Sequence, residues 1–226
     1  MAHFEVIEKE GLFLVKALLE NETVRTESGA MYYMRGNIKM ESKMPTAGSF
    51  LKSMVTSESI FRPTYTGTGE LYLEPSFSSF HIFDCAGKDW LVQPGGYVAS
   101  EEAIKLDIHR DKVVTSFLSG KGLLNFWTKL KGNGKAVIVC PGPVEEINLN
   151  NERLVVDGQF AVAWESSLDY KIEKATKSLF GSATSGEFLV STYTGTGKLF
   201  LAAVPNWRKF LLDQVSASMY MSSSSK

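Results

Sequence analysis

Residues 64–73 read TYTGTGELYL and residues 192–201 read TYTGTGKLFL. One short chain writes TYTGTG twice, followed once by Glu70 and once by Lys198. The second copy, with its GTGK, has the look of a phosphate-binding loop. A Walker-type loop needs GxxxxGK and then Ser or Thr. Here Thr192 stands five residues before Gly197, and Leu199 follows Lys198, so no hydroxyl is placed for Mg²⁺. Glu70 in the first copy would repel a phosphate. The motif is therefore structural, and it belongs to a repeat.

A third copy lies between the two. Residues 126–139 read FWTKLKGNGKAVIV, with Gly132 and Gly134 in the places of Gly67 and Gly69, and of Gly195 and Gly197. Gly67 to Gly132 is 65 residues and Gly132 to Gly195 is 63. SGAMYYMRGNIKM (28–40), PGGYVASEEAIKL (94–106) and DGQFAVAWESSLDYKI (157–172) recur in step, aligned on Gly29, Gly95 and Gly158. LKSMV (51–55), VTSFL (114–118) and TKSLF (176–180) recur between the two blocks. Motifs in one order at one period define tandem copies of a unit. The copies span residues 5–75, 76–142 and 143–213, followed by a disordered Ser-rich tail at 214–226.

The unit is made of strands. Runs such as ELYL and KLFL pair Leu with aromatics, as strands favour. A Gly-x-Gly between two such runs predicts a hairpin turn, with Thr68, Asn133 and Thr196 between the glycines. Gly67, Gly69, Gly132, Gly134, Gly195, Gly197, Gly29, Gly95 and Gly158 are thus read as structural turn positions. Pro63 cannot donate to a ladder, so its strand lies at an edge or ends there. Residues 47–55 suggest a short helical turn, but no long amphipathic helix is expected. The fold class is all-β with many short strands.

Composition narrows the function. The chain has 226 residues, 44% of them hydrophobic, enough to bury a core. Lys plus Arg is 24 against 25 Asp plus Glu, a net charge of −1, which makes a nucleic-acid partner unfavourable. No apolar run reaches the roughly 18–20 residues of a membrane span. MAHFEVIEKEG (1–11) does not read as a secretory signal, and a cytoplasmic location is expected.

Catalytic signals are weak. His3, His81 and His109 are the only histidines, and none is at metal-ligand spacing. No metal and no cofactor are expected. Cys85 and Cys140 lack a CxxC spacing and read as small apolar residues; Cys85, in DCAG near His81, is the best nucleophile candidate but reads as a turn residue. The adjacent pairs Glu101/Glu102 and Glu145/Glu146 read as solvated loop charges, because strand neighbours face opposite ways. Trp127, Lys129, Lys131 and Lys135 fit a small nucleic-acid surface or a solvated strand face equally well, and NWRKF (206–210) is similar. MYYM (31–34) is four apolar residues in a row, which implies burial on both faces, in the core or at a subunit interface.

ESGAMYYMRGNIKME (27–41), WLVQPGGYVASEEAIKLDI (90–108), VDGQFAVAWESSLDYKIE (156–173) and KSLFG…GEFLVSTYTGTGKLFLA (177–202) together resemble the mitochondrial biogenesis "altered inheritance of mitochondria" family. The resemblance spans nearly the whole chain. It implies a fold similar to the tryptophan RNA-binding attenuator protein, a short double-stranded β-helix, with internal triplication and ring-like oligomers. It carries over no catalytic residue. The absence of a presequence makes the chain look like a prokaryotic member. One departure is that GKGLL (120–124) becomes VTSESIF (55–61) in the first copy. The expectation is a non-enzymatic oligomeric scaffold or binding protein, a homo-oligomer with the trimer favoured and the protein partner unknown. The alternatives are a ring that binds a small ligand or RNA, and an enzyme using an unrecognised site.

Overall fold

The structure, a computed structural model, describes residues 2–42, 62–111, 125–157, 160–174 and 189–204. Every regular element among them is a strand, and all the pairings are antiparallel. One seven-stranded sheet holds β1 (His3–Lys9), β2 (Leu12–Thr26), β3 (Met31–Glu41), β4 (Thr64–Leu73), β5 (Ser79–Asp84), β7 (Tyr97–Glu101) and β10 (Lys135–Cys140). Its order is β3–β4–β2–β7–β10–β5, with β1 paired to β2. The other holds β6 (Trp90–Val92), β8 (Lys105–Asp111), β9 (Asn125–Lys131), β11 (Val144–Asp157), β12 (Ala161–Glu165), β13 (Asp169–Lys174) and β14 (Leu189–Ala202). Its order is β11–β14–β12–β6–β9–β8, with β13 paired to β14.

The hairpin reading of the glycine pairs is corrected. Gly67 and Gly69 lie inside β4, and Gly195 and Gly197 lie inside β14. Gly132 and Gly134 join β9 of one sheet to β10 of the other, so that copy is a crossover between sheets. Five of the six glycines have neighbouring atoms pressed against them, and Gly195 alone has open space, its nearest neighbours lying 3.9 Å away. A methyl carbon built on Gly67 would lie 2.0 Å from the Asn37 carbonyl oxygen, and one on Gly69 would lie 2.2 Å from that of Arg35. Gly132 has the Ala103 carbonyl at 2.6 Å and Gly134 the Glu101 carboxylate at 2.6 Å; Gly197 faces Ser167 and Glu165. At Gly67, Gly69 and Gly132 only a residue without Cβ admits another backbone this close, while Gly134 and Gly197 make room for side chains. Gly29 and Gly95 do occupy turns, at φ 79° and 72°. Gly158, the 47–55 segment, the blocks at 51–55, 114–118 and 176–180, GKGLL (120–124), NWRKF and the Ser-rich tail lie outside the described residues. Pro63 directly precedes β4, which begins at Thr64 and is flanked on both sides, so it ends a strand rather than marking an edge.

The same local devices recur along the chain. β2 against β4 loses register at Asn21 (φ 60°), and β11 against β14 loses it around Asn151 (φ 55°). The Asn21 N–H donates to the Thr68 hydroxyl at 3.0 Å, and the Asn151 N–H to the Thr196 hydroxyl at 2.9 Å. Asparagine tolerates the left-handed conformation that a bulge requires. This explains the central Thr of TGTG: it satisfies an amide that the bulge takes out of the ladder. Three further register breaks fall at Tyr32, Val98 and Val162, where β3 meets β4, β7 meets β10 and β12 meets β14. The Ile104 N–H to Glu101 carbonyl turn and the Leu168 N–H to Glu165 carbonyl turn both close at 3.1 Å.

Apolar side chains of both sheets meet in the core. Phe83 of β5, Trp90 of β6 and Phe200 of β14 pack together with ring centroids 4.7–5.1 Å apart, Trp90 stacked on Phe200 and Phe83 edge-on to Phe200. Cys85, Ile104, Leu130, Ile138 and Cys140 pack around them and are fully buried. Trp164, Trp127, Tyr170 and Tyr193 make a second aromatic cluster in the β12–β14 region. Truncating a ring such as Phe200 to Ala in a core of this kind costs about 3–5 kcal/mol.

Candidate interaction edge

Among the described residues β3 is the end strand of its sheet and pairs with β4 alone. Met31, Tyr32, Tyr33, Met34 and Arg35 are all exposed, Tyr32 at 58% and Tyr33 at 45%. Of the two expectations for MYYM, core or subunit interface, the core is corrected: its apolar side chains face solvent on both sides of the strand. Tyr33 stacks on Tyr72 with centroids 4.3 Å apart, and Tyr32 meets Tyr33 edge-on at 5.1 Å. The strands with the matching bulge, β7 (YVASE) and β12 (AVAWE), are buried at every residue. Each is paired on both flanks: β7 lies between β10 and β2, and β12 between β14 and β6. The register explains the contrast, since β2 contributes Val24, Arg25 and Thr26 to β7, and β6 contributes Trp90, Leu91 and Val92 to β12. No strand among the described residues plays that part for β3.

Beneath the edge lies a charge network. Glu70 bonds Arg35 of β3 and lies 2.8 Å from Lys16 of β2. The Arg35 and Lys16 hydrogen bonds hold its pKa down at about 2. In the other copy the signs are exchanged, because Lys198 lies 2.8 Å from Glu146 of β11. Lys16 stands five residues before Asn21, and Glu146 five before Asn151, so the two pairs occupy matching places. The Glu70/Lys198 difference that opens the chain's reading is thus a compensated exchange across one strand pair. Glu146 also lies 3.5 Å from His81, whose pKa is lowered mainly by burial.

The remaining sequence candidates scatter. Cys85 and Cys140 are both fully buried, and burial pushes both thiols up to about 12. Glu101 is no solvated loop charge: it ends β7, is 6% exposed, and accepts the Lys135 N–H at 2.8 Å. Glu102, Glu145 and Glu146 are exposed. Trp127 is buried against Trp164, while Lys129 and Lys131 pair with Asp89 and Asp107, so these residues do not form one aromatic, basic face. No group of three or more His, Cys, Asp or Glu among the described residues is placed to hold a metal ion. An open cavity of about 420 Å³ lies between the turns at Glu27–Ala30 and Gly95, floored by Phe80, Tyr97 and Val139. The sequence missed the buried carboxylates Glu101 and Glu165. The signal available was the shared Glu, three residues before Ile104 and Leu168.

Fold and edge together define an all-β protein of two antiparallel sheets with an apolar strand edge that no other described strand covers. The chain belongs to the mitochondrial biogenesis AIM24 family, whose sequence pattern matches residues 4–204. Among solved structures it is similar to protein SPYM3_0169 from Streptococcus pyogenes, with a TM-score of 0.69 and 21% sequence identity, over 98% of this chain and 99% of that one. A likeness at that identity speaks for the fold alone. No curated protein matches the chain. Among the described residues no helix is long and apolar enough to cross a membrane.

Proposed function

We propose that the chain is a non-enzymatic scaffold, built of three tandem β units and assembled through its strand edges into a homo-oligomer. The units run over residues 5–75, 76–142 and 143–213. The three matching bulges at Tyr32, Val98 and Val162 and the crowded glycines Gly69, Gly134 and Gly197 at matching places support that division. One observation carries the scaffold reading: MYYMR is exposed throughout, where its counterparts YVASE and AVAWE are buried throughout. A contiguous apolar patch on an unpaired edge costs solubility and invites pairing, and folded proteins cover such edges. A thiol enzyme is disfavoured, because a thiol with a pKa near 12 supplies almost no thiolate at neutral pH. The trimer is the closed assembly that the family resemblance favours.

Light scattering on a sizing column tests this. The parent is expected to elute as a multiple of 25.0 kDa. A double variant, Tyr33→Glu with Met34→Glu, is expected to elute as the folded single chain. A monodisperse 25.0 kDa parent refutes the reading.

A further inference from the structure

From the register of the two strand junctions inside the chain, we infer that the open edge of β3 receives the C-terminal half of β11 from a second copy, antiparallel, with Met34 opposite Val155. This inference rests on the scaffold reading and supplies its contact.

The chain makes the same junction twice. In the first, Thr26, Arg25 and Val24 of β2 lie opposite Ala99, Ser100 and Glu101 of β7. In the second, Val92, Leu91 and Trp90 of β6 lie opposite Ala163, Trp164 and Glu165 of β12. Both extend by one more bond, from the Glu27 N–H to the Val98 carbonyl at 2.8 Å and from the Gln93 N–H to the Val162 carbonyl at 3.0 Å. The acceptor in each case is the bulge residue, whose counterpart on β3 is Tyr32.

The donor side also has a third member. Val24 pairs with Tyr65 on β4, and Leu154 pairs with Tyr193 on β14, in the two TYTGTG copies. Leu154, Val155 and Val156 therefore stand where Val24, Arg25 and Thr26 stand, and where Trp90, Leu91 and Val92 stand. Among the described residues β11 is the end strand of its sheet and pairs with β14 alone, as β3 pairs with β4 alone. Val155, two residues from the end of β11, is 44% exposed, and Met34 is 38% exposed. Two internal junctions use up one donor edge and one acceptor edge each; a donor edge on β11 and an acceptor edge on β3 are left. They are unlike surfaces, so the contact between copies is heterologous, head to tail, and a chain of such contacts closes into a ring when its rotation permits.

The register follows by substitution: Tyr33 opposite Val156, Met34 opposite Val155, Arg35 opposite Leu154, with the Asp157 N–H reaching the Tyr32 carbonyl. The parity of the ladder agrees. The Thr26 N–H turns to Pro63 on the β4 side while the Glu27 N–H turns to β7, so alternate amides face the neighbouring unit. On β11 the Val155 and Asp157 amides then face the open side.

The experiment mixes two full-length chains, one carrying Met34→Cys and the other Val155→Cys with a tag that changes its size. Directly opposed strand residues have Cα atoms roughly 4.5–5.5 Å apart, within reach of a disulfide. Cys85 and Cys140 are buried and leave the background low. Mild oxidation is expected to give a mixed-size dimer, formed many-fold faster than with Arg153→Cys in place of Val155→Cys. That control moves two residues along β11, beyond the roughly 7 Å limit for bridging. Val155→Pro, which removes an outward amide and leaves the β14 ladder, is expected to give a folded 25.0 kDa species. Dimers of Met34→Cys alone that form as fast as the mixed pair mean that β3 pairs with β3, and overturn the proposal. An oligomer whose mixed pair cross-links no faster than the Arg153→Cys control overturns this register while the scaffold reading stands. A parent chain that is monomeric sinks both.

Discussion

Adding one methyl group to Gly67 and, separately, to Gly195 separates two reasons for a glycine in TYTGTG. Both residues have backbone angles that side chains rarely adopt, φ 142° and φ 123°. That strain costs about 1–2 kcal/mol at either site. The space differs. The Gly67 methyl would lie 2.0 Å from the Asn37 oxygen and 3.1 Å from the Ile38 Cα, all backbone of β3. An ordinary carbon–oxygen contact is about 3.3 Å, so β3 has to move by more than about 1 Å relative to β4. Such a shift loosens one or two ladder hydrogen bonds at about 1 kcal/mol each. Gly67→Ala is therefore expected to cost about 3 kcal/mol or more. At Gly195 the nearest atoms, in Leu168 and Ser167, are 3.9 Å away, and only the strain remains. In a chain of this size about 2–4 °C of melting temperature accompanies each kcal/mol. Gly67→Ala should thus melt roughly 6 °C or more below the parent, and Gly195→Ala by distinctly less. Urea titrations followed by tryptophan fluorescence give the same comparison at one temperature. If Gly195→Ala is destabilised as much as Gly67→Ala, the close approach of β3 to β4 is not what demands the glycine.

The Glu70 carboxylate is expected to titrate near 2 instead of its ordinary 4.5, because Arg35 and Lys16 bond its charged form. Its contribution to stability is present above the ordinary carboxylate range and fades as pH falls toward 2. Carbon NMR of the side-chain carboxyl checks this, and a midpoint near 4.5 in the parent would remove the network. His81 is held below its ordinary 6.5 by burial first, with Glu146 opposing and Lys198 adding to the shift. The unfolded chain then binds its proton more readily, so stability is full above 6.5 and is lost on acidification from 6.5 down to the depressed value. His81→Leu should flatten that slope in urea midpoints between neutral and mildly acidic pH, while an unchanged slope assigns the effect elsewhere.

The sequence alone determined the class and the punctuation. Leu, Val and aromatic runs bounded by glycine at one period specify strands, because alternation and turn chemistry act over a few residues. The same local logic misread TGTG. A glycine that permits a turn and a glycine that admits a closely pressed neighbouring strand look alike in sequence, and only the position of Asn37 and Arg35 beside β4 tells them apart. Glu101 looked solvated for the same reason, since nothing local reveals the Lys135 amide and the crowded Gly134 waiting for it. MYYM is the clearest division. Its composition announces burial, and the equivalent strands β7 and β12 are indeed buried by their neighbours β2 and β6. Whether an apolar strand is covered depends on which edge is left when the sheets have closed, and that is decided by long-range pairing, not by the residues of the strand itself.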